Sequence, residues 1–454
     1  MDELRDLLAR AAELAADHRA SLADRPVARA VDHAALRGAF GGALAKDPTP
    51  PAAVLEELAR AAEPGLVATA GPRFFGFVVG GALPAATAAD VLATGWDQNG
   101  FNAVLSPAAA AAEAVAGDWL KDLLGIPATA SAGFVTGGQA ANTVGLAAAR
   151  HHVLAEAGWD VERDGLAGAP RVRVVASEER HATVDRALRL LGFGTRAVEP
   201  VKAGPQGAVD VDDLARKVQD GPTIVCLQAG NVNTGACDDI RAARAVAKNT
   251  WIHVDGAFGL WAAANPKTAS LLDGVELADS WACDGHKWLN VPYDSGFVFC
   301  ARPEVHAEAI AYRAAYLTGA GQVSGMGDLT LESSRRARGF AVWAALRELG
   351  RDGVAELVDR CCRLARRFAG TLAEGGAEIG NDVVLNQVLV SFGDDARTDA
   401  VIERVQLDGT CWLGGTTWRG RRYLRISVSG WTTTEADVDR SAAAILRLAA
   451  HRPQ

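Results

Sequence analysis

Long uncharged apolar runs are missing from this chain. None reaches the roughly 18 to 20 residues that a membrane span requires, so no membrane-crossing segment is expected. Basic clusters are missing too. With 46 Lys and Arg against 55 Asp and Glu the formal net charge is −9, and a protein that neutralises nucleic-acid phosphates needs grouped Lys and Arg. Cysteine is sparse and unpatterned: Cys226, Cys237, Cys283, Cys300, Cys361, Cys362 and Cys411 are odd in number and lack C-x-x-C spacing. That favours neither a disulfide framework nor a zinc site and fits a reducing cytoplasm. His151 and His152 are adjacent, so they do not share a helix face, and no third ligand accompanies them; no metal site is expected. Repeats at solenoid periods are absent as well.

What is present is an ordinary globular composition, 49% hydrophobic and 22% charged over 454 residues, too long for one core. The opening segment starts with acidic residues and repeats Leu4, Leu7, Leu8, Ala11 and Leu14 at helical spacing, which predicts an amphipathic helix rather than a signal peptide. Lys46-Asp47-Pro48-Thr49-Pro50-Pro51 breaks the helical pattern that follows. Pro107–Leu124 reads as a single helix with proline in its first turn. Between about 130 and 300, β-branched runs at 172–175, 223–227, 251–254, 280–283 and 296–299 alternate with helical segments. This pattern implies an α/β domain on a mostly parallel sheet. A long helical pattern at 334–374 leads to strands at 388–392 and 423–428 and a closing helix at 434–450. The expected division is an N-terminal helical arm at 1–105, a large α/β domain at 106–335, and a smaller α+β domain at 336–454.

Four segments carry chemistry. Ala278-Asp279-Ser280-Trp281-Ala282-Cys283-Asp284-Gly285-His286-Lys287-Trp288-Leu289 runs from a strand into a polar turn that presents His286 and Lys287. A desolvated lysine at a sheet edge attacks carbonyls; a lone loop lysine is otherwise a solvated surface group. Trp251-Ile252-His253-Val254-Asp255-Gly256-Ala257-Phe258-Gly259 sets Asp255 at the end of an apolar strand. An unpaired carboxylate there costs several kcal/mol, so it wants a cation, or serves as a helix cap. Val135-Thr136-Gly137-Gly138-Gln139 is a glycine turn opening an Ala-rich helix, a place where amides and the helix dipole suit a phosphate. In Ser177-Glu178-Glu179-Arg180-His181, the histidine ring can stack on a flat cofactor or be structural.

In this order the four segments resemble the group II pyridoxal-phosphate-dependent amino-acid decarboxylases, the family of aromatic amino-acid and glutamate decarboxylases. The resemblance runs from about 70 to 440 and includes Asn233-Thr234-Gly235-Ala236-Cys237-Asp238-Asp239-Ile240, Ser334-Arg335-Arg336, and Leu424-Arg425-Ile426-Ser427. It implies fold type I, the aspartate-aminotransferase-like arrangement, and a homodimer with active sites at the subunit interface. It further implies that Lys287 carries the cofactor as a Schiff base, Asp255 binds the pyridinium and His181 stacks on the ring, with Ala257 on the other face. Gly138 and Gln139 hold the phosphate through backbone amides, His286 assists beside it, and Asn231 and Val232 lie close to the reacting centre. The chain departs from the family at Gly256, Leu260, Gly285 and Ala140, and at Gly230-Asn231-Val232, where Gly-Thr-Thr is frequent.

The cofactor by itself does not select decarboxylation over transamination or aldol cleavage. In the family a loop tyrosine protonates the α-carbon after carbon dioxide leaves, and phenylalanine there goes with aldehyde formation. Tyr316, 29 residues after Lys287 and one of only four tyrosines, occupies that place and precedes a Gly-rich stretch suited to a lid. Tyr312 aligns less well. Phe75 and Phe77 match regions that touch the substrate side chain, or are core; Gln98 and Asn99 suit a polar or acidic side chain instead. The expected substrate is therefore an L-amino acid, with an aromatic or bulky side chain favoured. An aldehyde synthase or carbon–carbon lyase is the alternative, and an inactive binding protein that keeps the fold is a third.

Overall fold

The computed structural model describes residues 2–312 and 325–450. The chain forms two compact units. One comprises Met1–Val79, Arg367–Gly380 and Leu389–Gln454; the other comprises Gly80–Arg366 and Asn381–Val388. These cuts differ from the expected ones at 105 and 335, and long-range polar contacts explain why. Residues 80–105 belong to the larger unit because Arg336 reaches back to Asp90 and Thr94, at 2.9 and 2.8 Å, and Glu348 accepts the Ala85 amide. Residues 336–366 are held there partly by the Arg338–Asp294 pair at 2.5 Å.

In the larger unit seven strands form one sheet, introduced in chain order: β1 (Ser131–Val135), β2 (Arg173–Ser177), β3 (Val198–Val201), β4 (Thr223–Gln228), β5 (Trp251–Asp255), β6 (Ser280–Asp284) and β7 (Gly296–Cys300). Their order is β1-β7-β6-β5-β4-β2-β3. Only β7 opposes its neighbours, pairing antiparallel with both β1 and β6; the other pairs are parallel. Strands β4 to β7 are buried along their whole length, which is why they read as continuous apolar runs rather than alternating ones. The helix Gly138–Glu156 lies on this sheet, with Ala140, Ala141 and Val144 against Val135, Ala282 and Val298. The expected strands appear within a residue or two of their predicted ends.

The smaller unit contains β8 (Glu378–Ile379), most of β9 (Gln387–Ser391), β10 (Gly414–Trp418) and β11 (Arg421–Ser427), in the order β10-β11-β9-β8. The turn between β10 and β11 is Arg419-Gly420, both with positive φ, as a two-residue hairpin requires. Arg73 ties distant segments of this unit together, donating to the Thr410 carbonyl at 2.7 Å and the Ala23 carbonyl at 2.6 Å. No described helix is long and apolar enough to cross a membrane, and all seven cysteines are free.

One charge pair is wholly interior to the larger unit. Arg335, with its side chain fully buried, donates to Glu113 at 2.6 Å and to the Phe134 carbonyl at 2.9 Å. Burial pushes the Glu113 carboxyl up, and Arg335 opposes that shift. Glu113→Ala leaves the guanidinium buried without its anion, and is expected to cost about 3–5 kcal/mol in urea unfolding. The double change Glu113→Ala with Arg335→Met is expected to recover part of this loss; a single variant with wild-type stability would contradict the assignment.

Candidate active site

In a parallel α/β sheet, ligands bind beyond the carboxyl ends of the strands. Five of these ends lead directly into the residues singled out by sequence: β1 into Gly137 and Gly138, β2 into His181, β4 into Asn231, β5 ends on Asp255, and β6 leads from Asp284 to His286 and Lys287. Backbone hydrogen bonds bind the last two ends together. The Gly256 amide donates to the Ala282 carbonyl at 3.0 Å, and the Asp284 amide to the Ala257 carbonyl at 2.9 Å.

Asp284 is the hub. Its carboxylate is buried, takes the Gly138 amide on Oδ1 at 2.5 Å, and lies 2.8 Å from Lys287 Nζ through Oδ2. His286 Nε2 stands 3.5 Å from Oδ1. The His286 Nδ1 accepts the Ser295 amide at 3.3 Å, so Nε2 carries the proton in the neutral ring. Burial lowers the His286 pKa, with Asp284 opposing, and its ring stacks on Tyr293 with centroids 4.4 Å apart. The glycine turn is equally confined: a Cβ on Gly137 would come within 2.9 Å of the His286 ring, and one on Gly138 within 2.9 Å of Asp284 Oδ2.

Asp255 is buried and accepts the amide of Ala257 at 3.3 Å. His181 caps the helix Ala182–Leu190, its Nδ1 accepting the Thr183 amide at 3.2 Å and lying 2.8 Å from the Thr183 hydroxyl. An unprotonated Nδ1 leaves the proton on Nε2. A chain of hydrogen bonds supports this arrangement from within the core. The Asn142 amide donates to Thr183 Oγ1 at 3.2 Å, and its oxygen takes His253 Nε2 at 2.9 Å. His253 Nδ1 in turn faces Ser280 Oγ at 2.8 Å. Burial takes the His253 pKa down to about 3, so its ring is neutral.

Other expected site residues have structural engagements. Asn231 is buried, donates to the Glu179 carbonyl at 3.2 Å and accepts the Asn233 amide at 2.9 Å. The Gln139 side chain points to the Thr183 carbonyl at 3.3 Å. Asn99 accepts the Phe101 and Arg335 amides at 3.0 and 3.2 Å, and Gln98 donates to the Trp96 carbonyl at 2.9 Å. Phe75 and Phe77 lie in the smaller unit. Phe75 is buried edge-on against Phe368, and Phe77, with φ 58°, is exposed and stacked on Trp412. Tyr316 lies outside the described residues; Tyr312 reaches Ser333 Oγ at 2.8 Å. Asp284 was legible in sequence only as part of the lysine motif, and the Asn142–Thr183 relay not at all, because both depend on contacts between distant segments.

This edge fits pyridoxal phosphate by its donor set: a lysine amine, a buried carboxylate able to pair with a pyridinium, and a glycine turn at a helix N-terminus. Fold and site thus define a pyridoxal-phosphate enzyme of fold type I. Comparison with known proteins narrows the class. A family model described as the pyridoxal-dependent decarboxylase conserved domain matches residues 36–392; the chain belongs to that family and is a pyridoxal-phosphate-dependent amino-acid decarboxylase. It is 26% identical to an aromatic-L-amino-acid decarboxylase of Bacillus atrophaeus, covering 96% of this chain and 93% of the relative. It is 27% identical to a 4-hydroxyphenylacetaldehyde synthase of Rhodiola rosea, covering 85% and 82%. The structure superposes on that of Oryza sativa TDC with PLP and tryptamine at a TM-score of 0.92 and 25% identity, over 99% of this chain and 98% of the other.

Asn142→Leu removes both ends of the relay: it orphans His253 Nε2 and leaves the Thr183 hydroxyl with His181 alone. A loss of about 1–3 kcal/mol is expected for the buried unsatisfied group, read as a lower urea midpoint with unchanged m-value. An unaltered midpoint would show that the relay carries no load.

Proposed function

We propose that the protein converts an L-amino acid with an aromatic or other bulky side chain to its amine and carbon dioxide, with Lys287 as the cofactor-bearing lysine. The convergence of Lys287, Asp255 and the Gly137-Gly138 turn on one sheet edge carries this reading. The aromatic substrate class rests on relatives that include the aromatic-L-amino-acid decarboxylase above. Pyridoxal phosphate, when bound, supplies an electron sink for the bonding pair left behind as carbon dioxide departs. Asp255 would pair with the pyridine nitrogen and keep it protonated. The Gly138 and Gln139 amides would hold the phosphate, with His286 beside it. His181, oriented by Thr183, and Ala257 would hold the ring between them, with Asn231 near the reacting amine. Tyr316 returns a proton to the α-carbon in place of the lost carboxylate. We further propose a homodimer, for which light scattering of the purified protein is the test.

The second reading is an aldehyde synthase, favoured by the likeness to the Rhodiola rosea enzyme. A panel of L-tryptophan, L-tyrosine, L-phenylalanine and L-glutamate separates the two. Amine and carbon dioxide from an aromatic substrate are expected; aldehyde with peroxide would transfer the assignment to the second reading. Lys287→Ala is expected to abolish the visible absorbance of lysine-linked cofactor, and retained absorbance would remove Lys287 from the role. Tyr316→Phe is expected to divert product from amine toward aldehyde, and an unchanged amine yield would exclude Tyr316. Gly138→Pro keeps a residue suited to the first helical position but deletes its amide, and its ring also pushes on the Asp284 carboxylate, so the readout is a comparison of two ligands. The variant is expected to weaken pyridoxal phosphate binding more than that of pyridoxal, which lacks the phosphate. Equal weakening would place the phosphate elsewhere.

A further inference from the structure

Asp284 has no role in the reading above, yet it holds two of the groups that reading needs. Its Oδ1 takes the Gly138 amide at 2.5 Å and its Oδ2 pairs with Lys287 Nζ at 2.8 Å. An amide has one hydrogen, and at this distance it is fully engaged. The carboxylate has little room to withdraw. Its side chain is 2% exposed, its own amide is bonded to the Ala257 carbonyl at 2.9 Å, and its carbonyl receives Trp261 Nε1 at 3.0 Å. A Cβ on Gly138 would already meet Oδ2 at 2.9 Å, so carboxylate and turn are in contact. A phosphate arriving at this turn meets an anion already seated on the donor it requires, and like charges at a buried site repel strongly.

We propose that Asp284 is an internal competitor of the cofactor's phosphate for the Gly138 amide, and that this competition sets how tightly pyridoxal phosphate is held. The inference rests on the reading that the phosphate lies at Gly138 and Gln139. The identity of residue 284 thereby tunes cofactor affinity. A neutral side chain of the same shape accepts the amide only through an uncharged oxygen that a phosphate displaces more readily, can turn its nitrogen to donate to the phosphate, and removes the repulsion; a longer carboxylate keeps the competing charge.

The test compares dissociation constants of pyridoxal phosphate and pyridoxal, measured by titrating cofactor-stripped full-length protein and following bound-cofactor absorbance. The ratio of the two isolates the phosphate's contribution and cancels effects on Lys287 common to both ligands. Asp284→Asn is expected to raise the preference for the phosphorylated form at least tenfold, and Asp284→Glu to leave it at or below the wild-type value. Asp284→Ser is read the same way should the asparagine variant fail to fold. An unchanged or reduced preference in the neutral variant would overturn the proposal and make Asp284 a fixed latch of the turn. If Gly138→Pro lowers the preference while Asp284→Asn does not raise it, the competition alone fails. If Gly138→Pro leaves the preference unchanged, the phosphate position itself is wrong.

Discussion

A carboxylate buried at the end of a strand is tolerated only with a partner, and two of them, Asp255 and Asp284, stand on the adjacent strands β5 and β6. Asp284 is matched within the chain by Lys287 and the Gly138 amide. Asp255 accepts the amide of its own loop, a neutral donor, and under the proposed function the cationic nitrogen of a protonated pyridine would supply what an amide does not. The contrast assigns different tasks to two carboxylates of similar burial. One organises the lysine and the glycine turn; the other suits an exogenous ring. The surrounding sheet is what makes both sustainable, since strands β4 to β7 are buried along their whole length and largely apolar, and exclude water from below the site.

Neutral histidines extend the same economy of charge. His253 is sunk in the sheet and stays unprotonated because burial opposes its charge, so it passes hydrogen bonds between Ser280 and Asn142 without adding a cation beneath the site. Through Asn142 and Thr183 that link reaches His181 and fixes which ring nitrogen bears the proton. A network whose members are all satisfied rigidifies the groups it holds, here a histidine at the mouth of β2.

Much of the fold was legible because β4 to β7 are long apolar runs bounded by polar turns. Two strands of the same sheet were not. β1, Ser131-Ala132-Gly133-Phe134-Val135, is half small residues, and β3, Val198-Glu199-Pro200-Val201, is an edge strand interrupted by proline. Neither carries the β-branched density that marks a strand. The division into units was hidden for a different reason: Arg73 bonds a carbonyl 337 positions away, and no local pattern announces such a contact. At the site, motif residues were recognisable one by one. Their engagements were not, because Asp284 meets Gly138 across 146 positions and His253 meets Asn142 across 111.

The departures from the family pattern can also be read as physics. Gly256 and Leu260 stand where alanine and glycine are more usual, and taken singly each is an unexplained change beside Asp255. In the structure they touch. A Cβ on Gly256 would fall 2.2 Å from Leu260 Cγ and 2.7 Å from its Cδ1, so the methyl given up at 256 makes room for the isobutyl group gained at 260. Leu260 is itself fully buried, and its isobutyl group is larger than the methyl given up at 256, so the rest of the core is packed to take the added volume. The two positions are therefore coupled, because Leu260 fits beside the 255–257 segment only while residue 256 lacks a Cβ. A glycine beside Asp255 thus answers to the packing behind the site, through Leu260, rather than to the chemistry at its reacting face.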